Sequence, residues 1–352
     1  MKPSGRVTAA LAAAAVALAL AVGVPAQGAT ATAWRLVFTK HYGPASNFSG
    51  YGPGLAFSKT DAWAFGGSDL SGGTAPVGVP VAEHWDGTAW QGSAMPAGAT
   101  DTVEAASADS ASDIWAVTYL GGYILHWNAA GWSVSRHVTG GGQLTGVTAI
   151  SPTDVWVFGG GGFLGGLGTW HFNGSTWTHV TGAAGLEEAS ALSASNIWAV
   201  GSASVPEDSI WHYNGTTWRP TNAAALKGLS FKGILAVSAT SIWAAASPAS
   251  GRAVGFLVHF NGSRWAKVIP PWSITLSLIA PDGQGVLWLQ APASPGKFWL
   301  VHRSATGQWS RTEVTLDTGG SAVPVPIPGT ASWWGIGRKD GTTGSNAATW
   351  SS

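Results

Sequence analysis

The 352-residue chain contains no cysteine. That absence removes disulfide stapling, thiolate metal sites, cysteine nucleophiles and any Cys–Tyr radical cofactor. Charge is almost as scarce: Asp, Glu, Lys and Arg make up 10% of residues, against about 25% in an ordinary soluble domain. The 17 basic and 17 acidic side chains cancel. A nucleic-acid binder held by phosphate contacts needs clustered Lys and Arg, so that class is excluded. The composition also argues against disorder, because a chain that is 45% apolar with no net charge can bury a large core.

Only one long apolar run exists. Lys2 and Arg6 precede it, it extends from Val7 to Val24, and Pro25, Ala26 and Gly28 break it. A charged head, a short Ala- and Leu-rich stretch and small residues have the form of an export signal. Residues 1–30 are therefore expected to be a signal peptide, cut at one of several sites between Ala26 and Ala33. The run is short and alanine-rich for a bilayer span of about 20 residues. No cysteine follows it, which excludes lipoprotein anchoring. The mature protein is expected to be secreted, extracellular and free of the membrane. Held by its core alone, such a chain suits a bacterial exported protein.

What the chain has in quantity is glycine, with 50 residues, and tryptophan, with 22. Both follow an internal repeat. Ser151-Pro-Thr-Asp-Val-Trp-Val-Phe-Gly159 recurs as Ser193-Ala-Ser-Asn-Ile-Trp-Ala-Val-Gly201, with weaker copies around Trp63, Trp115, Trp243, Trp288 and Trp333. Between them runs a second motif, Trp211-His-Tyr-Asn-Gly-Thr-Thr-Trp218, recurring at His84–Trp90, Trp170–Trp177 and His259–Trp265. His126–Trp132 and His302–Trp309 are degenerate copies without Asn-Gly. Each unit reads as four short strands, A to D. Ser-x-x-Asp caps the A–B turn, a glycine-rich loop joins B to C, and Asn-Gly, in which both residues accept positive φ, turns C into D. Four strands at a period near 45 residues predict a β-propeller.

Counting B strands predicts seven blades in a single domain, residues 33–352. The last blade stops at Ser351-Ser352. Ala33-Trp34-Arg35-Leu36-Val37 resembles the D strand Arg264-Trp265-Ala266-Lys267-Val268, so the mature N-terminus is expected to supply the missing strand and close the ring. Val323-Pro-Val-Pro-Ile-Pro328 fits an innermost strand, one side of which needs no ladder partner.

The Ser-x-x-Asp-x-Trp and Asn-Gly-Thr-x-Trp motifs resemble the tryptophan-rich propeller repeats of exported actinobacterial proteins. They are loosely similar to the Asp-box repeats of sialidases and to photosystem assembly-factor propellers. The resemblance spans residues 33–352 and implies the fold. It departs from the Asp box, where Asp lies two residues before Gly, because Asp86 directly precedes Gly87. No family active site is carried over.

Most residues that invite a functional reading serve the repeat. Twenty tryptophans sit at repeat positions, which points to packing between blades, leaving Trp272 and Trp334. His84, His126, His171, His212, His259 and His302 recur once per blade. Equivalent positions around a propeller lie far apart, whereas zinc ligands converge within about 2.1 Å of one ion, so these histidines are expected to make structural hydrogen bonds. Gly160-x-Gly162-x-x-Gly165 precedes a strand, without the helix a phosphate site requires. The sequons at Asn173, Asn214 and Asn261 are turn residues, and Asn47 carries a fourth. No metal or cofactor is expected, and no nucleophile elbow or H-E-x-x-H motif occurs.

What remains is the face bearing the D–A and B–C loops, which hold polar residues outside the repeat. The candidate ligand-binding residues are Trp272, Tyr119, Asp69, Arg136, Glu187, Glu188, Glu207, Asp208 and Arg252, with Asp101, Glu104 and Lys232 in the same loops. The expected function is a non-catalytic binding module for an extracellular glycan or protein, acting as a monomer. The alternative is a polysaccharide hydrolase or lyase using Glu187, Glu188, Glu207 or Asp208 as acids.

Overall fold

Short β-prone runs cut by glycine cannot satisfy their own backbone groups, so each pairs with the run that follows it. The structure, a computed structural model, describes residues 31–43, 49–68, 78–160, 165–183, 185–201, 210–249, 255–273, 275–281, 287–341 and 345–352. Strand β1 is Thr32–Lys40. Group one holds β2 (Gly50–Ser58), β3 (Asp61–Gly67), β4 (Pro80–Trp85) and β5 (Trp90–Ser93). Group two holds β6 (Val103–Ser110), β7 (Asp113–Thr118), β8 (Tyr123–Trp127) and β9 (Trp132–His137). Group three holds β10 (Gly146–Ser151), β11 (Asp154–Phe158), β12 (Trp170–Phe172) and β13 (Trp177–His179). Group four holds β14 (Leu186–Ser193), β15 (Asn196–Gly201), β16 (Ile210–Tyr213) and β17 (Trp218–Pro220). Group five holds β18 (Leu229–Ser238), β19 (Ser241–Pro248), β20 (Phe256–Phe260) and β21 (Trp265–Val268). Group six holds β22 (Ser277–Pro281), β23 (Leu287–Pro292), β24 (Lys297–Arg303) and β25 (Trp309–Leu316). The last strands are β26 (Ser321–Pro326), β27 (Trp333–Asp340) and β28 (Ser345–Ser351).

Groups one to five are separate four-stranded antiparallel sheets. The remaining strands form one sheet of eight in the order β22-β23-β24-β25-β1-β28-β27-β26. Within it β1 runs antiparallel to β28, with Leu36 opposite Trp350, and parallel to β25, with Trp34 opposite Leu316. That parallel pairing is a feature the repeat did not predict. The first strands of successive groups lie side by side, from β2 through β6, β10, β14, β18 and β22 to β26, which returns to β2. The fold is thus an all-β propeller type whose innermost strands surround a common axis. Pro324 and Pro326 lie in β26, which pairs on one side only, with β27, so their missing N–H groups cost no ladder bond.

The core is divided among the contacts between neighbouring groups. Between groups three and four, Trp156 and Phe158 meet Leu186, Ile197 and Trp218. Between groups four and five, Trp198, Val200 and Ile210 meet Phe231, Ile234, Ile242 and Trp265. Aromatic rings join at preferred edge-on angles, as in Trp115–Trp177 (5.7 Å between centroids, 73°) and Trp156–Trp218 (5.4 Å, 78°). Trp334, left unassigned by the repeat, is also buried and meets Trp85 and Trp90 at 5.1 Å each. The tryptophans are mortar.

The Asn-Gly turns correct one expectation. Only the glycines have positive φ, and Phe172 pairs with Trp177, so the loop is four residues long rather than two. Asn173 acts through its side chain instead: Oδ1 accepts the N–H groups of Ser175 at 3.1 Å and Thr176 at 2.9 Å. Gly174 (φ +91°) is required there, since a Cβ would stand 2.7 Å from Thr153. The A–B turns behave as read, with Thr60 N–H on Ser58 Oγ at 3.1 Å and Ser195 N–H on Ser193 Oγ at 3.3 Å.

Candidate functional site

The recurring histidines are bound into the scaffold. His171 Nε2 meets Asp154 Oδ1 at 2.9 Å, His84 Nε2 meets Asp61 Oδ1 at 3.0 Å, and His212 Nε2 meets Asn196 Oδ1 at 3.0 Å. Each ring also stacks on the B-strand tryptophan of its own group, at 4.2 Å for Trp156 and 4.3 Å for Trp198. Among the described residues no group of three or more His, Asp or Glu is placed to hold a metal ion.

A different set of side chains converges where the innermost strands begin. In group two, Asp101 (φ +74°) precedes β6, and its carboxylate accepts the N–H groups of Thr102 at 2.7 Å and Leu120 at 2.6 Å. This ties the D–A loop to the B–C loop. Tyr119, in that B–C loop, donates its N–H to Thr102 O at 3.0 Å and accepts from Leu144 N–H at 2.9 Å. Glu104 follows two residues into β6, at a register shift. Glu187 stands at the matching register shift of β14, and Thr145 Oγ1 of the intervening group donates to its carbonyl at 2.8 Å. Glu188 lies beside it, with its carboxylate 3.5–3.6 Å from where a Cβ on Gly233 would stand. The Ile234 N–H hydrogen-bonds to that carboxylate.

These groups share one electrostatic environment. Surrounding protein, and secondarily the charge of Asp101, raises the proton affinity of Glu104. Desolvation raises Glu187 as well. Glu188 is pushed up to about 7, chiefly by desolvation; the Ile234 N–H opposes this and the Glu187 charge adds to it. Protein encloses Glu188 on most sides while solvent still reaches the side chain. The Tyr119 hydroxyl is raised by desolvation and then by the charges of Glu104, Asp101 and Glu187, so all three carboxylates act on one phenol. Ionised, these carboxyls favour cationic groups, and a carboxyl poised near neutrality can hold a proton.

Of the residues expected from sequence, Tyr119, Glu187 and Glu188 are brought together, and Asp101 and Glu104 join them. Two are placed elsewhere. Arg136 lies over Trp170, 4.1 Å from the ring, on the flank between groups two and three. Trp272 is half-buried, edge-on to Trp309, with the Arg311 guanidinium 4.6 Å from its ring. Arg311 is also 4.1 Å from Trp299, so it bridges two indoles. Asp69, Glu207, Asp208 and Arg252 lie outside the described residues.

Sequence reasoning missed a buried polar network between the last group and group one. Glu83 is fully buried, and its Oε1 accepts from Lys40 Nζ at 2.7 Å and Tyr42 Oη at 2.5 Å. Burial, and then the bond to Glu83, raises the Tyr42 phenol; Tyr51, raised by burial, lies 3.3 Å from it. The available signal was that Glu83 occupies a repeat position held by Leu125, Trp170, Trp211 and Val258 in the next four groups.

No protein-family model matches the chain, and no curated protein does. Solved structures do match, as folds. The chain is similar to YCF48 bound to D1 peptide (TM-score 0.58, 13% identity, covering 96% of this chain and 97% of that one). It is similar to streptogramin B lyase (TM-score 0.57, 11% identity, 90% and 98%). It is also similar to the GH74 xyloglucanase of Xanthomonas campestris (TM-score 0.57, 15% identity), covering 87% of this chain and 53% of the xyloglucanase.

Proposed function

We propose that the chain is an exported seven-bladed propeller, closed by β1 as the fourth strand of its last blade. In this reading it is a binding module whose acidic mouth receives a positively charged segment of an extracellular protein. The charges of Glu104, Asp101 and Glu187 all act on Tyr119, and that of Glu187 acts on Glu188, so four carboxyl groups from two blades carry this reading. The YCF48 structure, bound to a peptide, supports a protein partner over a glycan. The test is calorimetric titration of the secreted chain with a lysine-rich peptide, an acidic peptide of equal length and a neutral oligosaccharide. Saturable binding of the basic peptide alone, weakened by salt and by Glu187→Gln, is expected. Binding of only the oligosaccharide overturns the reading in favour of a glycan partner.

One observation favours a second reading. Glu188, with a pKa near 7, stands beside Glu187, and a protonated carboxyl next to a second carboxyl group is the equipment of a polysaccharide hydrolase or lyase. Release of reducing or unsaturated sugar ends from plant or cell-wall polymers, lost in Glu188→Gln, would establish that chemistry.

A further inference from the structure

One innermost strand carries a carboxylate where its relatives carry hydrocarbon. Asp109 occupies the position held by Phe57, Ile150, Leu192 and Val237 in groups one, three, four and five. It sits at a register shift, between Ala108 opposite Ile114 and Ser110 opposite Asp113. Asp113 is buried, 7% exposed, and its Oδ1 hydrogen-bonds to His126 Nε2. Its other oxygen, Oδ2, and Asp109 Oδ1 are both buried with no conventional donor. The two carboxyl groups hydrogen-bond to each other. Two ionised carboxylates offer only acceptors, so that bond exists only while a proton sits between them.

We propose that Asp109 and Asp113 share one proton and form a pH-sensitive switch in the contact between groups two and three. With the proton in place, Asp109 donates to Asp113, Asp113 holds His126, and His126 stacks on Trp115 at 4.0 Å. Trp115 in turn packs on Phe172 at 5.4 Å and Trp177 at 5.7 Å of the next group. Without it, two negative charges face each other at the end of this chain of contacts, and the contact loosens.

The Ser110 hydroxyl and the Asp109 N–H give the Asp109 carboxylate partial support, outweighed by burial and Asp113, and among the described residues no cation faces it. On its own sheet the titratable groups of this face are Asp113, His126 and, at the far end of β9, Arg136. Across the contact, β10, β11 and β12 present Val147, Ala149, Val155, Val157, Trp170 and Phe172, all uncharged. From β13 the titratable group is His179, which lies against Trp170 with Arg136. The Asp154–His171 pair stacks on Trp156, which faces the opposite neighbour, group four. Burial, then the bond and charge of Asp113, push Asp109 up to about 6. On Asp113, burial is outweighed by the bonds from His126 and Asp109, and its pKa is lowered. A raised carboxyl pKa contributes stability that is present at low pH and lost as pH rises through the folded value.

The experiment compares thermal unfolding of the full secreted chain, Asp109→Asn and Asp109→Leu at about pH 5 and pH 8. The wild type is expected to lose several degrees on going to pH 8 relative to both variants. Asp109→Leu, which copies Leu192, is expected to melt above wild type at pH 8. Hydrogen exchange of β6 and β7 amides should quicken with pH, beyond its intrinsic dependence, in wild type only. Calorimetric proton counting adds a second readout: unfolding at about pH 5 should release about one proton more from wild type than from Asp109→Asn. Parallel melting of wild type and variants across the interval overturns the proposal, as does equal proton release from wild type and Asp109→Asn on unfolding at pH 5.

Discussion

His171 lies flat on Trp156, ring centroids 4.2 Å apart with 23° between planes, and Asp154 Oδ1 accepts from both, at 2.9 Å from His171 Nε2 and 3.1 Å from Trp156 Nε1. One carboxylate oxygen thus orients the ring that forms the edge-on contact with Trp218 of the next group. Asp154→Ala leaves two part-buried donors without their acceptor and should cost about 1–3 kcal/mol. His171→Ala removes the stacking partner and should cost a similar amount. Urea unfolding of the two single variants and the double variant checks this. Because the residues act as one unit, the double variant should cost less than the sum.

Groups four and five carry the same arrangement without the charge. His212 meets Asn196, and His259 lies 3.2 Å from Ser241 Oγ. Burial lowers the pKa of both histidines, and Arg303 lowers His259 further. The unfolded chain therefore takes up protons before the folded one, and stability falls as pH drops below about 6.5. At about pH 5, hydrogen exchange should be faster in β15, β16, β19 and β20 than in β11 and β12. Asn196→Asp, which copies groups one to three, should reduce that acid sensitivity in group four and leave group five unchanged.

The scaffold was legible in sequence because each group repeats the same few contacts. Trp156 and Trp198 announce their role by recurring, and Asn173 and Asn214 by preceding glycine. The acidic mouth was only half legible. Glu187 and Glu188 stood out as loop carboxylates, but their meeting with Tyr119 and Glu104 depends on which strands become neighbours around the axis. The packing of Trp272 was illegible for the opposite reason. It is off the repeat yet packed, because Arg311 covers its ring, and nothing in its spacing reveals that partner. Glu83 and Asp109 were visible only as polar residues at apolar repeat positions.

Lys40 and Glu83 fasten the end of β1 to group one across the contact with the last group. Lys40→Met leaves a buried carboxylate with Tyr42 as its remaining donor and should cost about 2–4 kcal/mol, the lower part of the usual range because Lys40 is partly exposed. Lys40→Met combined with Glu83→Leu, which copies Leu125, should recover most of that loss. Chemical denaturation of the three proteins checks the order. If the single variant is as stable as the double, the Lys40–Glu83 bond does not fasten β1 to group one.

If the acidic mouth is the proposed peptide site, Glu188 makes binding there depend on pH. Its carboxyl, pushed up to about 7, is largely ionised at pH 8 and largely protonated at pH 6. Glu187 and Glu104 are also raised, so further acidification removes charge from the same place. A lysine-rich peptide should therefore bind several-fold more weakly at about pH 6 than at pH 8. Loss of one charge-assisted contact worth about 1.4 kcal/mol corresponds to tenfold in Kd. Glu188→Gln should bind at pH 8 as the wild type does at pH 6 and should show a flatter profile between the two. Added salt should weaken the wild type more than the variant, because the variant has less charge to screen. Calorimetric titration at the two pH values and two ionic strengths reads all three effects, and a pH profile unchanged by Glu188→Gln would remove Glu188 from the binding surface.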